Sequence, residues 1–327
     1  MIFLQLREIF TNRQNTMNTL SFTRIPRTQY RRRVLDRCKL TVVNKVNLKS
    51  LNDNQFGYYV TELEIKNNKI PKSFFKFAID NLKKEVTRKR YGQKLDPYEN
   101  KTRGESMKIL RMRQQLKKLE LNNQNIWKRE QESNDIVKAP RIMMAVYHLI
   151  CYFLDILFDG KPIERFWFLE TVARMPYFSY VTMLQLYETL GWWEIDGPLK
   201  TMHTDEEINE TKHLRIMESL GGNLLWWNRF LAIHGALVYY VVLIFFYLVS
   251  PKYAYLSSEL LERHAVYTYT EFYESNEKIL KQLEPTREML DYDLYCESFY
   301  DIFTYIAADE LGHARSMRYV QKLTNEY

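Results

Sequence analysis

The chain has 327 residues, 46% of them apolar, with ten glycines and nine prolines, too few turn formers for a sandwich or barrel. Three scattered cysteines, Cys38, Cys151 and Cys296, exclude a disulfide framework and a cysteine-rich zinc or iron–sulfur site. The net charge is +7, and much of it sits early, where residues 1–50 carry eleven Lys or Arg against Glu8 and Asp36.

That basic, acid-poor start over 1–50 has the composition of an organelle transit peptide, with a plain basic arm as the alternative. A nucleic-acid arm would rest on the basic start alone, so no nucleic-acid partner is expected. Residues 51–135 read as a polar extension in which 103–132 predicts one solvated helix without chemistry. The composition turns apolar near Ile136, which opens the expected main domain, 136–327.

Within it the first helix covers 142–158 and ends at the turn DGKP (159–162). A second runs from Ile163 towards Gly191, with Pro176 as a candidate kink. GWWEIDG (191–197) connects to a third helix that begins at Pro198 and stops at the cap pair Gly221-Gly222. The fourth starts near Leu224, contains the uncharged run FLAIHGALVYYVVLIFFYLV (230–249) and ends at Ser250-Pro251. A fifth covers 252–282 and stops before Pro285; a sixth runs from about Asp291 to the C-terminus. Six long helices with short links predict an all-α bundle.

Twenty apolar residues can cross a bilayer. The neighbouring helices, however, carry Glu, Lys and Arg at the same depth, and charges at mid-bilayer are expensive. The expectation is a bundle whose first and fourth helices lay an apolar face on one leaflet, with a spanning fourth helix as the alternative.

Acid and imidazole recur along these helices: Glu170 in FLET, Glu210 and His213 in NETKH, Glu262 in LERHA, Glu310 and His313 in DELGH. Positions i and i+3 share a helix face, so each E-x-x-H can aim both side chains inward. One Glu from each of two helices plus an E-x-x-H from each of two others is the ligand set of di-iron and di-manganese bundles. At about 1.5 Å per residue, Glu210 with Glu262, and Glu262 with Glu310, fall at matching levels, whereas straight helices leave Glu170 and Glu210 about 13 Å apart. A bend at Pro176 or an earlier start to the third helix has to absorb that difference. Oxygen ligands with some imidazole suit iron cycling between two charges, and two irons hold two electrons at once. The plain alternative is a pair of exposed i,i+3 contacts.

LETVARMPYFSYVTMLQLYETLGWW (169–193), NETKHLRIMESLGGN (209–223), RFLAIH (229–234), SPKYAYLSSELLERHAVYTY (250–269) and ADELGH (308–313) together resemble the alternative oxidase family. LYETLGWW and IMESLGGN look most like its plastid terminal oxidase branch. The resemblance covers about 136–325. It implies a ferritin-like four-helix di-iron bundle with two further long helices forming an apolar, membrane-facing surface. It also implies a cyanide-insensitive quinol:oxygen oxidoreductase that pumps no protons and makes water at two non-haem iron ions.

By motif match Glu170, Glu210, Glu262 and Glu310 would be iron ligands, and His213 and His313 ligands or close partners of them. Asn209 and Asp309 match polar residues near the site. Tyr269, two turns after Glu262, matches a tyrosine beside the irons and would carry electrons or protons. Arg165, Leu169, Ala265 and Thr268 match quinone-pocket positions, Arg165 as hydrogen-bond donor to a quinone oxygen. The family suggests a homodimer. The branch points to the plastid thylakoid, the Arg-rich start to the mitochondrial inner membrane, and the quinone is plastoquinol or ubiquinol. His148, His203 and His234 are expected to be hydrogen-bonded in the fold and not metal ligands; Asp155, inside the apolar run of the first helix, is a candidate functional residue, with facing the bundle or capping a surface as the alternatives. Arg263 and His264 stand where mitochondrial members are glutamate-rich. The rival readings are a di-iron hydroxylase on a quinone precursor or lipid, and a scaffold that kept the fold.

Overall fold

The computed structural model describes residues 55–56, 60–61, 73–91, 111–133, 136–195, 197–285 and 296–324. The basic start over 1–50, with Cys38, lies outside them. The chain divides into two compact units, Met1–Lys83 and Lys84–Tyr327. The first contains a two-stranded antiparallel ladder, β1 (Gln55–Phe56) with β2 (Val60–Thr61), the only strands among the described residues. Helix α1 (Phe74–Tyr91) follows.

The second unit holds a helical stretch at 111–116 and the helices α2 (Asn123–Glu132), α3 (Arg141–Leu157), α4 (Pro162–Thr189), α5 (Pro198–Leu220), α6 (Trp226–Val249), α7 (Pro251–Ser275), the single turn α8 (Glu277–Leu280) and α9 (Phe299–Leu323). Helix α7 packs along α9, α4 packs along both α5 and α6, and α2 and α3 lie against α7. Four helices, α4, α5, α7 and α9, form the bundle proper.

Helical periodicity explains which side chains enter the core. On α5 the buried positions include His203, Glu206, Glu210, His213, Met217 and Leu220, three or four apart. On α9 they include Ile302, Ile306, Glu310, His313, Met317 and Val320. Each stripe is carboxylate and imidazole in the middle. Because neighbouring helices run antiparallel, the glutamate layer divides the core along its axis. One cluster holds Phe166, Ile216, Tyr269, Phe272 and Phe303; the other holds Tyr177, Tyr180, Tyr247, Tyr255 and Met317.

The ends of the helices have local causes. Gly221 adopts φ +94° at the end of α5, a conformation that favours glycine. A Cβ on Gly222 would lie 2.3 Å from Cβ of Trp167, so only glycine lets this turn meet α4. One residue, Ser250, joins α6 to α7, and Pro251 occupies the first turn.

Three sequence expectations change here. The fifth helix ends at Ser275, not 282: the Asn276 amide donates to the carbonyls of Phe272 and Glu120, both at 2.8 Å, and Asn276 exchanges the helix for a tie to the 119–121 segment. The sixth starts at Phe299, where Ser298 and Asp301 form a reciprocal capping box; Asp291 itself lies outside the described residues. Of the solvated helix expected over 103–132, residues 103–110 lie outside the described residues, and the rest is a helical stretch at 111–116 followed by a separate α2 capped by Asn122. Met112, Leu116, Leu119 and Ile126 of this polar stretch are buried.

Of the two anticipated ways to absorb the offset between Glu170 and Glu210, an earlier start to the third helix is not used. Helix α5 begins at Pro198 as the sequence suggests, and α4 runs unbroken through Pro176 to Thr189.

Helices α3 and α6 leave apolar side chains outside: Ile142, Val146, Leu149 and Phe153 on α3, and Phe230, Leu237, Val241 and Phe245 on α6. Helix α6 is the one described helix long and apolar enough to cross a membrane, and 22% of its most apolar stretch is buried.

Candidate di-metal carboxylate site

Glu170 from α4, Glu210 from α5, Glu262 from α7 and Glu310 from α9 are all buried and converge. Their atoms sort into two overlapping sets. Glu170, Glu210, His213 and Glu310 offer one donor each within 4.8 Å of one another, and so do Glu210, Glu262, Glu310 and His313. Glu210 and Glu310 belong to both sets, and so stand where a carboxylate could bridge two ions.

The partners cross between the helices. His213 Nδ1 lies 3.2 Å from Glu310, and His313 Nδ1 lies 2.7 Å from Glu210. The Tyr269 hydroxyl donates to Glu170, while the Tyr177 hydroxyl donates to Glu262 at 2.9 Å. Each E-x-x-H thus meets the other, and each tyrosine, two turns after its own glutamate, meets the glutamate of the opposite helix. The Tyr269 ring stacks on Phe166, with centroids 4.2 Å apart.

Asp309 and Asn209 sit behind this centre. His213 Nε2 is 3.2 Å from Asp309 Oδ2, and the Asn209 amide donates to the same oxygen at 3.1 Å. A carboxylate on Nε2 leaves Nδ1 facing the glutamates, the usual way an imidazole is oriented towards a metal.

The donor set fits a pair of cations on two grounds. Both oxygens of Glu210 and of Glu310, one of Glu170, and Nδ1 of both histidines are buried and crowd against one another at ion-pair distance without a well-formed hydrogen bond, a costly arrangement for buried polar atoms. Four carboxylates with two neutral imidazoles also carry a charge that two dications neutralise, and charge of that size is not buried uncompensated.

Proton affinities show the same strain. Burial, then the charge of Glu210, pushes Glu170 up to about 8, and burial with the charges of Glu310 and Glu210 raises Glu262 well above its ordinary value. Burial opposes ionisation of Glu310 too, but the two imidazoles outweigh it and hold that carboxyl low. Burial disfavours the charged imidazoles of His213 and His313, yet the surrounding carboxylates outweigh it and raise both.

Arg165, buried on α4, binds Asp155 at 2.8 Å and Asn123 at 2.9 Å, and its Nη2 is 3.2 Å from His264 Nε2. Since a guanidinium only donates, His264 Nε2 accepts, which leaves Nδ1 to face Tyr147 at 3.2 Å and Glu130 at 3.4 Å. Arg165 Nε has no hydrogen bond among the described residues. Thr268 is buried and its hydroxyl donates to the His264 carbonyl. Leu169 and Ala265 are half-buried. A pocket of about 320 Å³ opens beside this network, lined by Trp127, Glu130, Met144, Leu260 and Tyr267 among others.

Of the remaining histidines, His203 and His234 are hydrogen-bonded as expected, whereas His148 makes ring contacts with Trp127 and Tyr147. His203 bonds Glu206 and Tyr255 in the core, His234 bonds the Phe230 carbonyl on the surface, and His148 is exposed. Sequence reasoning missed Tyr177, although it follows Glu170 by the same seven residues that separate Tyr269 from Glu262. It also missed Asn123, Trp127 and Glu130, which lie in a stretch dismissed for its polarity.

Comparison with known proteins agrees with this geometry. The family model for alternative oxidase matches residues 113–322, starting within the segment that contributes Met112 and Leu116 to the core. Ubiquinol oxidase 4, chloroplastic/chromoplastic, of Arabidopsis thaliana is 40% identical over 52% of this chain and 54% of its own length. Ubiquinol oxidase 1a, mitochondrial, of Oryza sativa subsp. japonica is 30% identical over 49% and 48%. Ubiquinol oxidase 2, mitochondrial, of Arabidopsis thaliana is 26% identical over 58% and 54%. The chain spans about half the length of these curated relatives. With its family model covering residues 113–322 and its four helices presenting glutamate and E-x-x-H donors to one buried layer, the chain belongs to the alternative oxidase family.

Proposed function

We propose that this protein oxidises quinol and passes the electrons to O2, giving water, at a centre of two iron ions. The observation that carries the reading is the pair of overlapping donor sets that share Glu210 and Glu310. Glu170 and His213 would hold one ion and Glu262 and His313 the other, with Glu210 and Glu310 between them. A bound iron pair would supply the site where O2 is reduced by stored electrons.

The protein's own groups do the rest. Tyr269, donating to Glu170 and held flat by Phe166, is placed to give a proton and an electron at the centre. Asp309, with Asn209 behind it, keeps His213 in the orientation that points Nδ1 inward. Arg165, pinned by Asp155 and Asn123, keeps one N–H for a quinone oxygen, and Leu169, Ala265 and Thr268 lie within one turn of Glu170 or of His264. The unpaired Nε favours this role; the salt bridge to Asp155 explains how a charge is kept in the core.

Quinol arrives from a bilayer. The exposed apolar faces of α3 and α6, beside charged helices, support attachment to one leaflet over spanning. The higher identity to the chloroplast relative supports a thylakoid location and plastoquinol, with the mitochondrial inner membrane and ubiquinol as the second choice.

Oxygen uptake by iron-loaded protein, with plastoquinol and ubiquinol analogues and with cyanide, tests the reading. The expected result is cyanide-insensitive uptake with one quinone formed per quinol lost. A hydroxylated product would replace it with the hydroxylase reading. Glu210→Ala should abolish uptake and iron content together; if it retains both, Glu210 is not a ligand.

A further inference from the structure

The two tyrosines on the glutamates lead to different surroundings. Tyr269 is walled by Phe166, Phe272 and Phe303, rings that are hard to oxidise. Tyr177 opens on a series of rings that reaches the surface. Its ring centroid is 6.2 Å from that of His203, which is 5.6 Å from Tyr255. Tyr255 is 5.8 Å from Tyr247, Tyr247 is 6.2 Å from Tyr187, and Tyr187 is 6.4 Å from Trp192. Tyr177 and Tyr255 are buried, and Trp192 is 74% exposed.

The middle of the series has its own proton acceptor. Glu206 Oε2 lies 2.9 Å from His203 Nδ1, and the Tyr255 hydroxyl lies 3.1 Å from His203 Nε2. With Nδ1–H donating to the carboxylate, Nε2 accepts from the phenol. The Tyr247 hydroxyl, 3.3 Å away, donates to Tyr255. Burial makes a bare phenolate costly, and Tyr255 is accordingly raised well above its ordinary value, first by burial and then by Tyr247. A buried phenol loses an electron readily only if its proton has somewhere to go, and here it has.

We propose that Tyr177, Tyr255, Tyr247, Tyr187 and Trp192 form an electron path that drains a one-electron oxidising equivalent from the metal site to the surface when quinol runs short. The proposal rests on the oxidase reading, since O2 turnover is what leaves such an equivalent. In the net step the metal site gains one electron, Trp192 loses one, and the indole proton goes to solvent. Along the way Tyr177 lends its proton to the Glu262 carboxylate and Tyr255 lends its own to His203 Nε2; Tyr255 then takes a hydrogen atom from the Tyr247 hydroxyl and relays the His203 proton back to Tyr247 when Tyr187, half-buried and exchanging its proton with solvent, refills that ring. A soluble thiol repairs the surface radical by giving up its hydrogen atom.

The experiment uses the iron-loaded full chain in detergent, turned over with O2 and limiting quinol. Peptide mass spectrometry reads added oxygen at each aromatic residue, and freeze-quenched EPR reads tyrosyl signals. The unmutated protein should gain oxygen at Trp192, and a soluble thiol should suppress it. Tyr255→Phe should cut that gain severalfold and inactivate the enzyme after fewer turnovers, with the initial rate in excess quinol unchanged. Trp192→Phe, on the surface and safe for folding, should move the damage back to Tyr187. Equal oxidation of Trp192 in iron-free protein or in Tyr255→Phe, or no retreat to Tyr187, would overturn the path while leaving the oxidase reading intact. Absence of uptake by unmutated protein in excess quinol would overturn both.

Discussion

The two ends of the bundle share one glutamate layer and differ in what they pack against it. At the Tyr269 end the neighbours are phenylalanine and aliphatic side chains, with the Arg165–Asp155–His264 network one turn away. At the Tyr177 end they are tyrosines hydrogen-bonded to one another, to Ser258 and to His203. The centre itself is nearly symmetric, with Tyr269 on Glu170 answered by Tyr177 on Glu262, and His213 on Glu310 answered by His313 on Glu210. Symmetric donors suit a pair of cations, and asymmetric surroundings would let a substrate act on one side only.

The largest expected effect removes what the halves share. Glu310→Ala deletes a donor common to both sets, so iron content and oxygen uptake should fall together, by more than the ~10–100-fold that an outer partner costs. Separating the two tyrosines comes next. Tyr269→Phe should lower turnover by ~100-fold or more while iron stays bound, in line with loss of a positioned proton donor. Tyr177→Phe should cost about tenfold in iron affinity and far less in turnover at saturating iron. Equal losses from the two variants would erase the contrast between the ends.

Arg165→Lys keeps the charge and loses the planar fork. It should raise KM for quinol about tenfold, the worth of one charged hydrogen bond, and change kcat little. Arg165→Ala should instead destabilise the fold by about 3–5 kcal/mol, because Asp155 loses its buried partner.

Acid titration of the metal-free protein sharpens the comparison further. Glu170 and Glu262 bind protons more tightly folded than unfolded, as do His213 and His313. Their contribution is therefore full at low pH and is lost as pH rises, for Glu170 between 4.5 and about 8. Glu310 acts in the opposite sense, but below the ordinary carboxylate range. Metal-free protein should thus lose stability from pH 5 to 8 by up to about 1.4 kcal/mol per pH unit for each titrating group, read as falling Tm. Iron should flatten the slope. The smallest effect is Ser298→Ala, which removes the capping box of α9 and should cost about 1 kcal/mol, leaving iron affinity unchanged.

Much of this was legible because helices write their buried face into the chain at a spacing of three and four. That periodicity places Glu210 with His213, and Glu310 with His313, on single faces, and Pro198, Gly221 and Pro251 mark where the rods begin and end. Asn276 shows the opposite case: its sequence neighbours continue a helical pattern, and only the backbone of Glu120, far away in the chain, makes it worth stopping. Leu116 and Ile126 were unreadable for a related reason, being few apolar residues in a polar stretch whose burial depends on a groove others build.

The order of residues along the chain determined which donors exist, on which helix faces, and how many turns separate Tyr177 and Tyr269 from their own glutamates. Which glutamate each tyrosine reaches, that Glu210 and Glu310 sit between the two donor sets, and that Asp155 holds Arg165 were decided by the antiparallel packing of four helices. Local periodicity acts within a few residues, whereas contacts between rods depend on the loops and grooves that align them, and that alignment exists only in the assembled core.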